Sequence, residues 1–275
     1  MTKILTLAIL SLFFIIDFPF KVLAETVLER IERTGEINAG ARKNAVPFGY
    51  ENSQGQWTGY SVEFLKIIHR RLEQKLNKPI KLNLQEVTID NRFKMVQNGR
   101  VDLVCDATSI TQQRLDLVDF SVPFFMAGTQ FLIDKQDINN IDIGGTLAKV
   151  PVAYIPNTTT DRLIRQVYPL ANWQPVNNRQ QGIEKLKKGE VSAVASDGVL
   201  LLGELVRQGG EMKDFILIPE IPMTSELYAC ILPKNEPRWK EFVDTSIAGK
   251  ENHQLQEKWF ELETESFPYI IKTLP

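Results

Sequence analysis

The residue types that could bind a charged small molecule collect where the predicted strands end. Arginine offers a rigid fork of donors that matches a carboxylate, while aspartate can pair with an ammonium group and hydroxyls add neutral hydrogen bonds. In open α/β sheets, ligands bind outside the carboxyl ends of the strands. The residues of these kinds that follow predicted strands are Arg42, Arg92, Ser109, Arg114, Thr158, Thr159, Arg179 and Asp197. Together they predict a cleft for a zwitterion with additional negative charge.

Several of these positions also have an ordinary structural interpretation. Arg92 and Arg179 fall in the first turn of predicted helices, where a cation is disfavoured by about 0.3–1 kcal/mol; the alternative is a solvated loop arginine. The segment 157–161 can cap a helix or offer free amides to a carboxylate. Asp197 can also be a helix cap. Phe48, beside the predicted cleft, can cover the aliphatic part of a ligand.

The elements that must position these residues alternate between strand and helix. Segments 93–106 and 183–197 share one order: helix, glycine stop, buried strand, then an Asp-containing loop. This repetition predicts an α/β fold with two lobes. Two apolar stretches without helical neighbours, 124–133 and 227–232, are interpreted as crossover strands that form a hinge between the lobes.

The predicted boundaries begin with an export signal over residues 1–24. Lys3 precedes an apolar run that is shorter than the about 20 residues of a membrane span, and 22–24 has the pattern of a cleavage site. Lobe 1 is predicted to be discontinuous (25–126 and 228–275), whereas lobe 2 is continuous (127–227). We therefore expect a periplasmic protein, secreted after cleavage of its signal peptide.

The composition argues against two classes of function. The chain has 32 basic and 34 acidic residues, a net charge of −2, which is not the basic excess of a nucleic-acid-binding protein. Two cysteines and two histidines do not form a zinc site on their own, and no metal-ligand spacing is present. We expect no metal and no cofactor. For Cys105 and Cys230, which lie in apolar strand-like runs, a disulfide and two buried thiols are both open.

Several segments resemble the polar amino-acid-binding proteins of ABC importers. Residues 111–124 are similar to the family's Thr-x-x-Arg…Asp-Phe-Ser-x-Pro-Tyr signature, and 46–48 with 59–63 to its Pro-Phe…Gly-Phe-x-x-Asp segment. The similarity extends over the whole predicted mature chain. It is strongest to the glutamate/aspartate-binding members, through the segments 42–48, 76–79, 91–92 and 228–232.

The resemblance implies a role for each residue and a set of partners. Arg114, helped by Ser109 and the Thr158–Thr159 amides, would hold the α-carboxylate of the ligand, and Asp197 its α-ammonium. Arg42 and Arg92 would face a side-chain carboxylate. The resemblance further implies a two-lobed periplasmic-binding-protein fold of type II and a monomer that is not an enzyme. It would close around an amino acid such as glutamate or aspartate and deliver it to an inner-membrane ABC permease with its ATPase.

The chain departs from that subfamily at four positions in the predicted cleft. Arg179 stands where a histidine is usual, which makes the donor permanently charged. Ile89 stands in place of a serine, and Asp106 with Ala107 in place of a Gly-Ser pair. The carboxylate of Asp106 could pair with an arginine or change the ligand preference.

Two other classes of function remain open at this stage. A periplasmic prephenate or arogenate dehydratase on the same fold would need an acid in the cleft, a role that Asp106 or Asp90 could fill. The absorbance of the product formed from prephenate would discriminate this enzyme. A ligand-sensing module acting through a separate partner is the other alternative.

Overall fold

The structure, a computed structural model, describes residues 25–261 and 270–271. The predicted export signal, residues 1–24, lies outside the described residues. Within the described ranges the chain forms nine α-helices: α1 (Val27–Thr34), α2 (Tyr60–Leu76), α3 (Arg92–Gln97), α4 (Gln112–Leu115), α5 (Thr159–Val167), α6 (Arg179–Lys187), α7 (Gly198–Arg207), α8 (Pro237–Ile247) and α9 (Lys250–Trp259). A 3₁₀ turn covers Lys135–Asp137.

The strands of the same ranges form two larger sheets and two small ones. They are β1 (Glu36–Ala41), β2 (Asn44–Ala45), β3 (Gly49–Glu51), β4 (Trp57–Thr58), β5 (Lys81–Glu86), β6 (Leu103–Ser109), β7 (Asp119–Phe120), β8 (Phe125–Ala127), β9 (Thr129–Asp134), β10 (Pro151–Tyr154), β11 (Asn172–Pro175), β12 (Ala193–Asp197), β13 (Phe215–Ile218), β14 (Glu226–Leu232), β15 (Phe260–Glu261) and β16 (Ile270–Ile271). The small sheets are β2-β3-β4 and β15-β16.

The two larger sheets define two lobes. Lobe 1 contains the order β5-β1-β6-β14-β7, with β8 also paired to β14, and lobe 2 contains β11-β10-β12-β9-β13. In each sheet three neighbouring strands are parallel, and strands that come from the crossovers are antiparallel to them. The predicted two-lobed α/β fold is confirmed. The exact lobe boundaries drawn from the sequence stay a prediction.

The crossovers lie side by side where the chain passes between the sheets. β8 belongs to lobe 1 and β9 to lobe 2, with only Gly128 between them, and β14 returns to pair with β8 through Glu226 and Ala127. A Cβ atom at Gly128 would lie 2.1 Å from the carbonyl oxygen of Thr224. Because the two connections approach this closely, only glycine fits at this point.

Helix α2, which carries much of the lobe 1 core, begins after a glycine. The helix starts at Tyr60, and its N-cap Gly59 has φ 116°. A Cβ atom there would lie 2.2 Å from the carbonyl oxygen of Phe48. The conformation and the close approach both require glycine. The apolar face of α2 then packs on β1 and on helices α8 and α9.

The pairing of β6 with β14 brings the two cysteines of the chain together. Cys105 and Cys230 occupy opposite positions in the register of these antiparallel strands, and they form a disulfide. The bond closes a sequence separation of 125 residues. It therefore fixes the returning crossover to the central strand of lobe 1, next to the residues that follow Cys105 toward the cleft.

Candidate functional site

The predicted polar residues all lie where the two sheets face each other. In lobe 1 they follow β1 (Arg42), open α3 after β5 (Arg92), end β6 (Ser109) or lie in α4 (Arg114). In lobe 2 they open α5 (Thr158, Thr159) and α6 (Arg179), or end β12 (Asp197). The carboxyl ends of the strands in both lobes therefore place these residues in one region, as expected for a ligand site in open α/β sheets.

Three arginines of this region are buried and close enough to repel one another. Arg42, Arg92 and Arg179 are 3%, 4% and 6% exposed. Burial, followed by the positive charges of Arg42 and Arg114, lowers the pKa of Arg92 to about 9. Burial and then Arg42 lower the pKa of Arg179. The mutual repulsion of these buried cations favours an anion between them.

Each of these arginines keeps a donor without a partner. Nη2 of Arg42 donates to Oδ1 of Asn44 at 2.9 Å, Nη1 of Arg92 to the carbonyl of Ile89 at 2.6 Å, and Nε of Arg179 to Oγ of Ser196 at 2.8 Å. The buried atoms Arg42 Nε, Arg92 Nε and Arg179 Nη1 have no hydrogen-bond partner. Buried polar atoms are rarely left in this state, so this group of donors suits a ligand acceptor.

Asp106 adds a carboxylate to the same cluster. It is 1% exposed, and its Oδ2 lies 3.4 Å from Nε of Arg42. Neither of its oxygens has a hydrogen-bond partner. We call Arg42, Arg92, Arg179 and Asp106 the arginine subsite.

Glu226, at the start of β14, is a functional candidate that sequence reasoning missed. Its carboxylate accepts hydrogen bonds from Oγ of Ser109 and, at 2.6 Å, from Oγ1 of Thr159. It also accepts from Thr129 Oγ1 at 3.4 Å and from Thr224 Oγ1 at 3.2 Å. Glu226 therefore connects lobe 1, lobe 2 and the crossover through the hydroxyls expected to face a ligand.

Arg114 lies near the same carboxylate. Its Nη1 donates to the carbonyl of Ser109 at 2.6 Å, and its guanidinium is 5.3 Å from the ring centroid of Phe93. Burial lowers the pKa of Arg114, and the negative charge of Glu226 opposes that shift. This end of the cleft thus holds one cation and one anion side by side.

Asp197 occupies an N-cap position without acting as a cap. It precedes α7, but its side chain makes no capping hydrogen bond. The carboxylate instead accepts from the hydroxyl of Tyr228 and, at 3.5 Å, from that of Thr160. Complete burial, and then the negative charge of Glu226, raise the pKa of Asp197 to about 6 from 3.8. A buried carboxylate near a second one is a strong acceptor for a cation.

The raised pKa of Asp197 predicts a pH-dependent difference in stability. The folded protein holds a proton on Asp197 below about pH 6, whereas the unfolded chain does so only below about 3.8. The wild type therefore gains stability from this group as the pH falls through 6 and loses it as the pH rises. We expect D197N to be more stable than the wild type at pH 7, by a margin that shrinks toward pH 4.5. Urea unfolding at a series of pH values measures this margin.

A second variant checks the cause of that dependence. E226Q removes the neighbouring negative charge, so the pKa of Asp197 falls and the pH window moves downward. A margin between D197N and the wild type that stays constant from pH 7 to 4.5 would contradict the assignment to Asp197.

Thr158 and Phe48, the two remaining predicted residues, make their contacts within the protein. Thr158, and not Asn157, caps α5: its Oγ1 accepts from the amide of Asp161 at 3.0 Å and donates to the carbonyl of Ile155 at 2.9 Å. Phe48 is fully buried, with its ring centroid 5.0 Å from that of Phe125 and 5.4 Å from that of Tyr228. The predicted contact of Phe48 with a ligand stays a prediction.

A cavity of about 240 Å³ opens beside the arginine subsite. It is lined from lobe 1 by residues that follow β1 and by residues at and after the end of β5, and from lobe 2 by residues before α6: Arg42, Lys43, Asn44, Glu86, Val87, Thr88, Ile89, Asp90, Asn177 and Asn178. Arg42 of the arginine subsite lines this cavity.

Over residues 25–261 no helix has both the length and the apolar character needed to cross a membrane. Nor do the described side chains form a group of three or more metal-ligating residues.

The model of the bacterial extracellular solute-binding proteins, family 3, matches residues 37–262. The chain belongs to this family. Among the relatives of this solute-binding protein is the glutamate/aspartate import solute-binding protein of Escherichia coli K12. The two are 30% identical over 244 residues, which cover 86% of this chain and 79% of that protein. The ABC transporter glutamine-binding protein of Bacillus subtilis is 26% identical over 276 residues, covering 94% of this chain and 97% of the relative.

A solved structure supports the fold of this solute-binding protein. The ancestral amino acid-binding protein that is a precursor of cyclohexadienyl dehydratase superposes with a TM-score of 0.74, at 22% identity, over 85% of this chain and 99% of that chain. The named relatives are amino-acid-binding proteins of import systems.

Proposed function

We propose that this solute-binding protein binds an acidic amino acid, glutamate or aspartate, between its lobes and delivers it to an ABC importer. The observation that carries the proposal is the arginine subsite with its three unsatisfied, buried guanidinium donors. A neutral ligand side chain would leave three cations compensated by the single carboxylate of Asp106, at a cost of several kcal/mol. The glutamate/aspartate-binding relative is consistent with this choice.

The charges of the cleft support the same ligand. The groups involved are Arg42, Arg92, Arg114 and Arg179 against Asp106, Asp197 and Glu226. The cations exceed the anions by one. A glutamate or aspartate zwitterion carries one net negative charge at neutral pH and would balance this excess.

The proposed pose follows from the two ends of the cleft. Arg114 and the first amides of α5 would hold the α-carboxylate, because free helix N-terminal amides attract anions. Asp197 would hold the α-ammonium, and Glu226 supplies a second carboxylate beside it. The side-chain carboxylate would lie among Arg42, Arg92 and Arg179. Ser109 and Thr159 would orient Glu226, to which both donate.

The proposal also includes the cellular location of the protein and its transport partners. The protein would act as a monomer in the periplasm after loss of residues 1–24, and its lobes would close about the crossovers. The closed form would then be presented to an inner-membrane permease with its ATPase.

Calorimetric titration tests the proposal. Refolded, ligand-stripped protein is titrated with glutamate, aspartate, glutamine, arginine and prephenate. We expect glutamate or aspartate to bind with a dissociation constant of about 1 μM or below, which corresponds to about −8 kcal/mol. If both acids fail while arginine binds, the arginine assignments are wrong. If only prephenate binds, the dehydratase alternative takes the place of the proposal.

A further inference from the structure

Helix α7 of lobe 2 presents one apolar face to each lobe. Leu201 and Leu205 belong to the core of lobe 2. Val199 and Leu200, in the first turn of the helix, are 8% and 1% exposed and belong to the same core cluster as Phe48 of lobe 1. The helix follows β12 directly and packs on β12 and β9, so it is fixed to lobe 2. Its first turn therefore carries apolar side chains across the boundary between the lobes.

The segment that α7 meets, residues 45–48, is fixed to lobe 1. The carbonyl oxygen of Pro47 accepts a hydrogen bond from the amide of Tyr60 at 3.0 Å. The carbonyl oxygen of Phe48 accepts one from the amide of Ser61 at 2.8 Å. Both donors lie at the start of α2, which packs in the core of lobe 1. A change in the distance between α7 and this segment is therefore a change in the distance between the lobes.

The closest approach between the two elements is at Gly203. A Cβ atom there would lie 2.6 Å from the carbonyl oxygen of Val46 and 2.8 Å from its carbonyl carbon. These distances are far inside van der Waals contact, and backbone atoms cannot rotate away as a side chain can. Gly203 lies within α7 and has no positive φ, so its conformation does not require glycine, and alanine favours a helix more. The contact with lobe 1 explains why this position has no side chain.

We infer that Gly203 is a positioning residue for ligand binding, because it lets the first turn of α7 close on segment 45–48. Apolar surface buried between the lobes stabilises their closed arrangement. This contact therefore contributes to the affinity for every ligand held between the lobes. Neither Gly203 nor Val199 is among the residues proposed to bind the ligand. The inference rests on the lobe closure of the proposed function but not on the identity of the ligand.

The variant G203A tests the inference by adding one methyl group between α7 and the carbonyl of Val46. We expect each amino acid that binds the wild type to bind G203A more weakly, by about tenfold or more and by the same factor for all ligands. Calorimetric titration measures this loss. We also expect small-angle X-ray scattering to give a larger radius of gyration for G203A than for the wild type, with ligand and without it. Circular dichroism and urea unfolding show whether α7 and the two lobes remain folded.

Two further variants separate closure from packing within lobe 2. G182A adds the same methyl group inside lobe 2, where a Cβ atom would lie 3.0 Å from Cγ1 of Val194. We expect G182A to keep the wild-type radius of gyration and to change ligand affinity by less than threefold. V199A removes apolar contact with lobe 1 without adding volume, and we expect it to weaken binding at least threefold. It decides the question if G203A does not fold, since unchanged affinity in V199A overturns the inference.

The outcomes distinguish the inference from the function on which it rests. If G203A binds within threefold of the wild type and has the same radius of gyration, the role of Gly203 is overturned while the ligand assignment stands. Equal losses in G203A and G182A also overturn it, because the loss then comes from packing within lobe 2. If no amino acid binds the wild type, the proposed function fails, and the radius of gyration without ligand decides. A larger value in G203A than in the wild type then supports the inference, and equal values overturn it.

Discussion

Replacing Arg114 with glutamine (R114Q) is expected to weaken the binding of every amino-acid ligand at least hundredfold. Arg114 is proposed to hold the α-carboxylate, which all amino acids share, through charge-assisted hydrogen bonds. Removing one partner of a desolvated charge pair costs about 2–5 kcal/mol in binding. Because the lost contact is common to all ligands, the ratio of the glutamate and glutamine constants should not change. Calorimetric titration with both ligands gives this ratio directly.

Arg162 provides a matched control for that variant. Its charge is near enough to lower the pKa of Arg114, but its side chain is exposed. R162Q therefore removes a positive charge at the same end of the cleft without removing a buried contact, and we expect a change below threefold. A similar loss of affinity in R114Q and R162Q would indicate a general electrostatic effect. A loss of affinity for glutamate alone would indicate that Arg114 contacts the side-chain carboxylate and not the α-carboxylate.

The fold and the arginines were predictable because they depend on local patterns. Alternating helices and strands, with a glycine after helices such as α1, α3 and α6, predict parallel strands, and parallel strands bring their carboxyl ends to one edge. Arg92 and Arg179 appear at the first positions of α3 and α6, as predicted. An arginine in that place is unfavourable for the helix alone, and this conflict is the signal that marked both residues.

Glu226 could not be found in the same way because its partners are distant in sequence. It lies 117 residues from Ser109 and 67 residues from Thr159, and it is brought to them by the register of β14. In the sequence it is a single acidic residue before an apolar run. Its position at the start of a predicted crossover was the one available signal, since a residue there borders both lobes.

The capping residues show a second limit of local reasoning. Asn157 and Thr158 are both good N-caps, and the sequence does not say which one precedes the first helical turn. In the structure Asn157 adopts a positive φ of 63°, which asparagine tolerates, and Thr158 becomes the cap. Because the hydroxyl of Thr158 is used in the cap, the hydroxyl that donates to Glu226 is that of the next residue, Thr159.

Replacing Arg179 with methionine (R179M) is expected to weaken glutamate binding and stabilise the protein at the same time. Arg179 is buried, makes one hydrogen bond to Ser196, and keeps Nη1 without a partner. The ligand carboxylate would fill this donor, so its loss should weaken glutamate binding at least thirtyfold. Without ligand the same cation is poorly compensated, and an apolar side chain of similar length should raise the free energy of unfolding by about 1–3 kcal/mol. Titration and urea unfolding measure the two effects.

The opposite signs of these effects make the prediction specific to a ligand-binding cation. An arginine kept for structure would lose stability on replacement, because Ser196 would lose its partner, and glutamate affinity would not change. R165M is the matched control: Arg165 is 56% exposed, lies outside the arginine subsite and pairs with the largely buried Asp161 in α5. Its loss leaves a buried carboxylate without its partner, so we expect glutamate affinity to be unchanged and the free energy of unfolding not to rise. A stabilised R179M that binds glutamate weakly would therefore show that stability has been given up at this position for an anionic ligand.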